Sequence, residues 1–260
     1  MTVHVEDILI YQNILENVYP AEDHETFPGR LVAEVGRYLV QAPYASNTLE
    51  QDGPEALVVN LRAFDCFTFV ETCLALGRII PTKRHSWNDF SALLTQVRYR
   101  DGLIDGYASR LHYFADWLQD NDRKGFLQDL SRHIEGVPLG KAISYMTAHA
   151  DLYPPLSDPG ILAAMKGVEK DLTNRGAFYY PKTAVSDDIP DLLEGDFLGI
   201  VTAAEGLDCG HAGIAVLEEG RLHLLHASRQ AGEVLVSPEP LEDYLQAEPD
   251  RMGLMVGRIR

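Results

Sequence analysis

Apolar residues in the first part of the chain recur at steps of three and four, the spacing of a helix that buries one face. The clearest run covers residues 64–80, where Phe67, Val70 and Leu74 share a face and Pro81 follows the last apolar residue. The same spacing, interrupted by proline and glycine, predicts further helices over residues 32–40, 87–98, 111–119 and 161–174. We therefore expect residues 1–190 to form a mainly helical half of the protein.

The spacing of apolar residues changes to two near Gly195, which is typical of strands with one buried face. Strands are predicted over residues 196–202, 209–217, 221–227, 233–236 and 252–259. Short strands joined by tight turns favour an antiparallel sheet, and helices followed by a sheet indicate the α+β fold class. We predict one domain over residues 1–260, with residues 191–260 as its sheet half.

Composition narrows the range of partners and compartments. The 39 acidic and 22 basic residues give a formal charge of −17, which repels phosphate backbones and makes nucleic acid an unsuitable partner. No apolar run approaches the roughly 20 residues of a membrane span, and the first residues lack a signal-peptide pattern. We expect a soluble protein, cytoplasmic as the chain is given and periplasmic or secreted if a leader was trimmed. Three cysteines are too few and too scattered for a disulfide framework.

Asp65 and Cys66 stand at the start of the strongest predicted helix. An aspartate there can cap the helix, and Cys66 then lies in the first turn, where backbone N–H groups are unpaired. The partial positive charge of a helix N-terminus stabilises a thiolate, so we expect Cys66 to be an ionised nucleophile. Asp65 either caps the helix only or also binds an amine or amide of a substrate. Cys73, in the middle of the helix, is expected to be a packing residue.

Two histidines far downstream are candidate partners for this cysteine. His211 lies in a predicted strand beside Gly213, and a glycine within a strand favours close approach by another group. His226 lies on the next strand, which returns antiparallel, so the two imidazoles can be neighbours. We predict His211 as the base and His226 as the group that orients it. The alternative for His211 is an edge-strand residue facing water, and His223 is expected to point away from His226.

A zinc site is the competing chemistry. Cys209 and His211 are expected to share one strand face, and Cys66 and His226 could complete a tetrahedral ligand set. Structural zinc ligands usually arrive as closely spaced pairs, whereas here one ligand would come from a helix start. We therefore predict no metal and no other cofactor.

Aromatic and basic side chains are concentrated between residues 98 and 114, including Tyr107, Arg110 and His112. Aromatic faces stack on sugar rings and arginine binds carboxylates in bidentate fashion, so the segment suits an anionic, partly saccharide ligand. The alternative is a solvated loop followed by an amphipathic helix. The 145 positions from Cys66 to His211 (211 − 66) exceed what a helix-to-strand connection needs, so the inserted helices are expected to wall a pocket.

Taken together, several segments resemble the N-acetylmuramoyl-L-alanine amidase-like family, a branch of the NlpC-type papain-like cell-wall cysteine hydrolases. The resemblance runs from about Tyr44 to the C-terminus and rests on residues 64–75, 98–114, 194–196, 211–214 and 226–228. It implies a papain-like fold, with a nucleophile helix packed on an antiparallel sheet and a helical insertion between Cys66 and His211. Cys66 is then the nucleophile, His211 the general base and acid, and His226 the orienting residue.

The resemblance also implies the reaction and the partner. The reaction is hydrolysis of the amide between N-acetylmuramic acid, in its ordinary or its anhydro form, and L-alanine in small peptidoglycan fragments. Tyr44 would help to hold the substrate carbonyl, and Asp65, Tyr107, Arg110 and His112 would bind the muropeptide. Two alternatives remain open: a γ-D-glutamyl-diamino acid endopeptidase on the same scaffold, and a catalytically silent muropeptide-binding module. The oligomeric state is not predicted.

Overall fold

The computed structural model describes residues 4–18, 28–51, 53–82, 84–132, 136–185 and 192–260, and an antiparallel sheet lies at its centre. In these ranges the strands run in the order β2-β3-β8-β4-β5-β6-β7, and β1 pairs with β8 beside β3. The strands are β1 (Leu127–Asp129), β2 (Val137–Pro138), β3 (Phe178–Pro181), β4 (Phe197–Thr202), β5 (Cys209–Glu218), β6 (Arg221–Ser228), β7 (Glu233–Pro240) and β8 (Arg251–Ile259). The predicted α+β class and antiparallel sheet are confirmed.

The helices follow the apolar spacing closely in the middle of the chain. They are α1 (Val5–Asn17), α2 (Pro28–Tyr38), α3 (Cys66–Ile79), α4 (Trp87–Arg98), α5 (Phe114–Arg123), α6 (Tyr145–Ala148), α7 (Pro159–Arg175) and α8 (Leu241–Gln246). The helix predicted over residues 87–98 is confirmed residue for residue, and Ser86 caps it by accepting from the Asp89 N–H. α5 begins at Phe114 and not at residue 111, because the Asp208 carboxylate accepts from the Ala115 N–H in its first turn.

Three strands of the sheet were not predicted, and all come from the first 190 residues. β1 and β3 pair with β8, and β2 pairs with β3. They are only two to four residues long, too short for a two-residue spacing to be visible in the sequence. Part of the sheet therefore comes from the predicted helical half.

Apolar side chains are buried on both faces of the sheet. On β5, Ile214 and Val216 point into the core that contains α2, α3, α4 and α5, whereas Ala215 points into a second core that contains α8. This alternation buries one face of the sheet in the core that contains α2, α3, α4 and α5, and the other in the core that contains α8. It places the N-terminus of α3 over β5 and β6, the two strands that carry His211 and His226.

The ends of β5 and β6 separate near the two histidines. Their pairing runs from Glu218 opposite Arg221 to Ile214 opposite Leu225. Beyond that point β5 continues along β4, and β6 continues along β7 to Ser228. The regular ladder between β5 and β6 therefore ends beside the two histidines.

Candidate active site

The start of α3 is held by a reciprocal cap. The Asp65 Oδ1 atom accepts hydrogen bonds from the N–H groups of Phe67 (3.0 Å) and Thr68 (2.7 Å). The Thr68 hydroxyl accepts in return from the Asp65 N–H at 3.0 Å. This capping box is worth about 1 kcal/mol and confirms that Asp65 caps the helix. Cys66, half-buried, is the first helical residue and is held in place by the cap.

The two predicted histidines are in direct contact. The Nε2 atom of His211 lies 2.6 Å from the Nδ1 atom of His226, and the rings are nearly perpendicular, with centroids 4.7 Å apart. His211 is half-buried and His226 is buried, so the alternative of a water-facing edge histidine is wrong for His211. His223 hydrogen-bonds elsewhere, to the Ser237 carbonyl oxygen at 2.8 Å.

Gly213 permits this contact. A Cβ atom at position 213 would lie 2.8 Å from the carbonyl oxygen of Leu225 and 3.1 Å from the Cβ atom of His226. Because a side chain there would push β6 away from β5, glycine allows the two imidazoles to approach.

A β-bulge at Gly210 corrects one prediction. Ile200 pairs with His211 and Val201 pairs with Cys209, so Gly210 is an extra residue in β5. Cys209 consequently packs with the α3 side of the sheet, whereas His211 pairs with Ile200, whose side chain belongs to the opposite core. The prediction that Cys209 and His211 share one strand face is therefore wrong.

The Cys66 sulfur lies next to the His211 strand. The N–H groups of Ala212, Cys66 and Phe67 interact with the sulfur and lower the pKa of the thiol. Within the described ranges no hydrogen bond joins Cys66 to the His211 ring, whose Nε2 atom is engaged by His226. Among the described residues, none hydrogen-bonds to the Nδ1 atom of His211.

The protonation states differ from the prediction of an ionised thiol. Burial of the sulfur and the negative charge of Asp65 raise the pKa of Cys66 to about 12, because together they outweigh the three N–H groups. Burial, His226 and Arg251 lower the pKa of His211 to about 3, and burial and Arg251 lower the pKa of His226 to about 4. The resting site is therefore a neutral thiol beside two neutral imidazoles, and the expected thiolate is not the resting form.

Tyr44 lies in an extended segment beside the start of α3. The Phe64 N–H donates to the Pro43 carbonyl oxygen at 3.0 Å, and the Ala45 N–H donates to the Phe64 carbonyl oxygen at 2.9 Å. Burial and the nearby Cys66 and Asp65 raise the pKa of Tyr44. A protonated tyrosine hydroxyl is thus placed within electrostatic range of the sulfur.

Arg110 is buried, so the alternative of a solvated loop is wrong at this position. Its guanidinium is 5% exposed and pairs with Glu50 at 2.8 Å and with Glu55 at 3.5 Å. It also lies 4.8 Å from the ring centroid of Tyr107. Glu50 and Glu55 are site residues that the sequence reasoning missed, because nothing in their local sequence distinguishes them from other surface acids.

His112 is half-buried and packs against Tyr107. One ring nitrogen lies 2.9 Å from the Tyr107 carbonyl oxygen, and the two rings are 4.5 Å apart. Burial and the positive charge of Arg110 lower the pKa of His112 to about 3. The neutral His112 ring orders the Tyr107–Arg110 segment and also borders a cavity.

Two adjoining cavities lie next to the start of α3. The smaller one, of about 160 Å³, is bordered by Asp65, Thr68, Arg110 and His112. The larger one, of about 430 Å³, is bordered by Tyr107 and shares Leu49 and Glu50 with the smaller one. The predicted binding residues Asp65, Arg110 and His112 therefore border the smaller cavity, and Tyr107 borders the larger one.

Among the described residues, no group of three or more histidine, cysteine or acidic side chains is arranged to hold a metal ion. In the same part of the chain, every helix is too short or too polar to cross a bilayer.

Comparisons with known proteins agree with this geometry. The chain matches the model of the AmiA-like family, described as N-acetylmuramoyl-L-alanine amidase-like, over residues 34–254. It is similar to an N-acetylmuramoyl-L-alanine amidase structure from Bacteroides uniformis, at 39% identity and a TM-score of 0.86, over 90% of this chain and 99% of that one. No curated protein sequence matches the chain.

Two other solved structures share the architecture. A Bacteroides fragilis protein named as a candidate xylanase is 38% identical, with a TM-score of 0.82 over 86% of this chain and 98% of that one. A Legionella pneumophila protein is 20% identical, with a TM-score of 0.67 over 97% of this chain and 96% of that one, and shows the fold alone. Because the family model matches most of the sequence, the chain belongs to the N-acetylmuramoyl-L-alanine amidase-like family.

Proposed function

We propose that this protein is a cysteine amidase that hydrolyses the bond between N-acetylmuramic acid and L-alanine in small peptidoglycan fragments. The observation that carries the proposal is that the Ala212 N–H interacts with the Cys66 sulfur at the start of α3. Ala212 directly follows His211, which contacts His226 at 2.6 Å. We further propose that residues 1–260 form one domain of the NlpC-type papain-like fold.

The first chemical step is attack by the Cys66 sulfur on the lactyl amide carbonyl. Because the pKa of the thiol is raised to about 12 and that of His211 lowered to about 3, proton transfer to His211 Nδ1 accompanies the attack. The sulfur–carbon bond forms while the carbonyl π electrons move to oxygen. The backbone N–H groups around residue 66 and the Tyr44 hydroxyl stabilise the resulting oxyanion.

The second step releases the peptide. The His211 imidazolium gives its proton to the alanine nitrogen, the carbon–nitrogen bond breaks, and a thioester between Cys66 and the lactyl group remains. His211 then takes a proton from water, which attacks the thioester. The products are the lactyl carboxylate, a free peptide amine and the regenerated thiol. His226 keeps the Nε2 side of His211 engaged throughout.

The two adjoining cavities are the proposed binding site. Their combined lining of acidic side chains, Tyr107 and Arg110 offers acceptors for sugar hydroxyls and amide N–H groups, and an aromatic edge beside them. The excess of acidic side chains around the two cavities favours uncharged parts of the ligand that carry hydrogen-bond donors, and it disfavours phosphate groups.

The test is to incubate the protein with a mixture of defined muropeptides, in reducing and anhydro forms, and to measure product masses. Free L-alanyl peptide and the matching muramic acid are expected, and Cys66→Ala should release neither. Cleavage between D-glutamate and the diamino acid would replace this proposal with the endopeptidase. Saturable binding by calorimetry without any product would replace it with a binding module.

A further inference from the structure

Behind His226, on the side of the sheet that carries α8, lies a tyrosine. The ring of Tyr244 is 9% exposed and meets the His226 ring nearly edge to face, with centroids 5.7 Å apart and planes at 72°. His226 itself is 5% exposed. One side of the His226 ring is therefore fixed by His211 and another by an aromatic wall.

An arginine lies against the same tyrosine. The guanidinium carbon of Arg251 is 3.9 Å from the Tyr244 ring centroid, and its Nη1 atom donates to the Tyr244 carbonyl oxygen. Within the described ranges, no carboxylate forms an ion pair with Arg251, unlike Arg98, Arg100 and Arg110. Its positive charge is thus not cancelled by a direct partner among these residues.

We propose that Tyr244 and Arg251 are positioning residues that hold the His226 ring and keep the histidine pair uncharged until the reaction begins. The inference rests on the proposed function for its purpose, but its geometry does not depend on the substrate. It adds residues from α8 and β8 to a site otherwise built from α3, β5 and β6.

The orientation argument concerns the tautomer of each ring. For His211 to receive a proton at Nδ1, its Nε2 must carry hydrogen and donate to His226 Nδ1. His226 must then carry its own hydrogen on Nε2 and stay in plane with that bond. The Tyr244 ring limits rotation of His226, so its Nδ1 atom stays opposite the His211 Nε2 atom, as this pair of tautomers requires.

The charge argument concerns the imidazolium that forms during the reaction. Burial, His226 and Arg251, in that order, lower the pKa of His211, and burial followed by Arg251 lowers the pKa of His226. The titratable and charged side chains near Tyr244 are Arg251, Glu239, Cys66 and Glu248, and Arg251 is the cation among these four. An imidazolium formed beside a cation is a stronger acid, which favours proton transfer to the poor leaving group of an amide.

The experiment measures the histidines by ¹⁵N and ¹³C NMR between pH 4 and pH 8, without substrate. The wild type should show one tautomer of His211, hydrogen on Nε2, and no protonation of either ring down to about pH 5. In Arg251→Gln and Arg251→Met, protonation should begin about half a pH unit higher or more, and Arg251→Lys should restore the wild-type behaviour. Arg132→Gln, which removes an exposed arginine elsewhere, should change nothing.

The tyrosine is tested in the same way. Tyr244→Phe keeps the ring and should retain the single tautomer, whereas Tyr244→Leu should give a mixture of tautomers. On a substrate that the wild type hydrolyses, Tyr244→Leu should lower kcat about tenfold or more with little change in KM. Folded Arg251→Gln, Arg251→Met and Tyr244→Leu proteins with wild-type titration and tautomers would overturn the inference. The predicted NMR changes in a protein without amidase activity would sustain it and reject the proposed function instead.

Discussion

The region around the start of α3 and a separate, larger cavity differ in size and in how their titratable groups are paired. The separate cavity, here called the charged cavity, has a volume of about 530 Å³. It is larger than either of the two cavities that Glu50 borders, which have volumes of about 160 and 430 Å³. Arginine and aspartate make up most of its wall: Arg100, Asp101, Asp116, Asp120, Asp122, Arg123, Asp129, Arg132, Asp171 and Arg175. By size and charge alone it would be the first candidate for a binding site.

In the charged cavity, however, the buried Asp116 carboxylate is held between two arginines. Asp116 accepts from Arg100 at 2.7 and 2.9 Å and from Arg175 at 2.6 Å. Burial opposes ionisation of Asp116, but the hydrogen bonds from both arginines outweigh it and lower its pKa. Beside Cys66 the shifts run the other way, and the neutral form of each group is favoured. Groups poised to exchange protons therefore distinguish a reaction centre better than volume does.

The largest difference in activity is expected between one substitution beside Cys66 and one in the charged cavity. His211→Asn should lower kcat at least about 10³-fold, because no other group can carry the proton between sulfur and the leaving nitrogen. Asp116→Asn should keep the wild-type kcat and KM on the same muropeptide. Equal losses of activity in the two variants would remove the distinction between the two regions.

The free energy of unfolding should change in the opposite order, with the larger loss in the charged cavity. Asp116 is fully buried, so Asp116→Asn leaves two guanidiniums without their carboxylate and should cost about 1–3 kcal/mol. The cost is below that of a fully buried pair because Arg100 and Arg175 are 28% and 40% exposed. Urea unfolding of both variants measures this, and His211→Asn should lose less than Asp116→Asn.

The orienting role of His226 predicts a smaller, graded effect. His226→Leu removes the acceptor for His211 Nε2 and should lower kcat about 10–100-fold. His226→Gln can place a carbonyl oxygen in the same position and should recover part of that loss. Steady-state kinetics of the pair measure it, and a Gln variant no better than Leu would count against a hydrogen-bonding role.

The acid side of the pH profile gives the finest distinction. The reaction needs neutral His211, and its pKa of about 3, with about 4 for His226, keeps the pair neutral at pH 5. Activity should therefore fall only as the pH approaches about 4, whereas an ordinary histidine would lose it from about pH 6.5. The profile of kcat/KM, with circular dichroism at each pH to show the fold, measures this. An acid limb centred near 6.5 would contradict it.

Features set by local sequence were predictable, and those set by distant contacts were not. The helix over Trp87–Arg98, the cap by Asp65 and the closeness of His211 and His226 follow from spacing, capping and strand order. The bulge at Gly210, by contrast, depends on how β5 meets β4.

The protonation states and the long-range ion pairs were equally impossible to predict from local sequence. Arg110 meets Glu50 from 60 positions away, and no periodicity connects them. The protonation of Cys66 went against the expectation because burial depends on the whole assembled core, whereas the helix N-terminus is a local feature. α1 and the three short strands were also not predicted.

The most direct test uses the three cysteines as their own controls. Cys66, Cys73 and Cys209 are each replaced by alanine, and release of free L-alanyl peptide from an N-acetylmuramoyl-L-alanyl peptide is followed by mass spectrometry. The buried Cys73 and the half-buried Cys209 are not assigned to the reaction, so their variants should retain turnover in proportion to their folded fraction. Cys66→Ala should release no peptide while remaining folded. Release by folded Cys66→Ala at the wild-type rate would contradict the account.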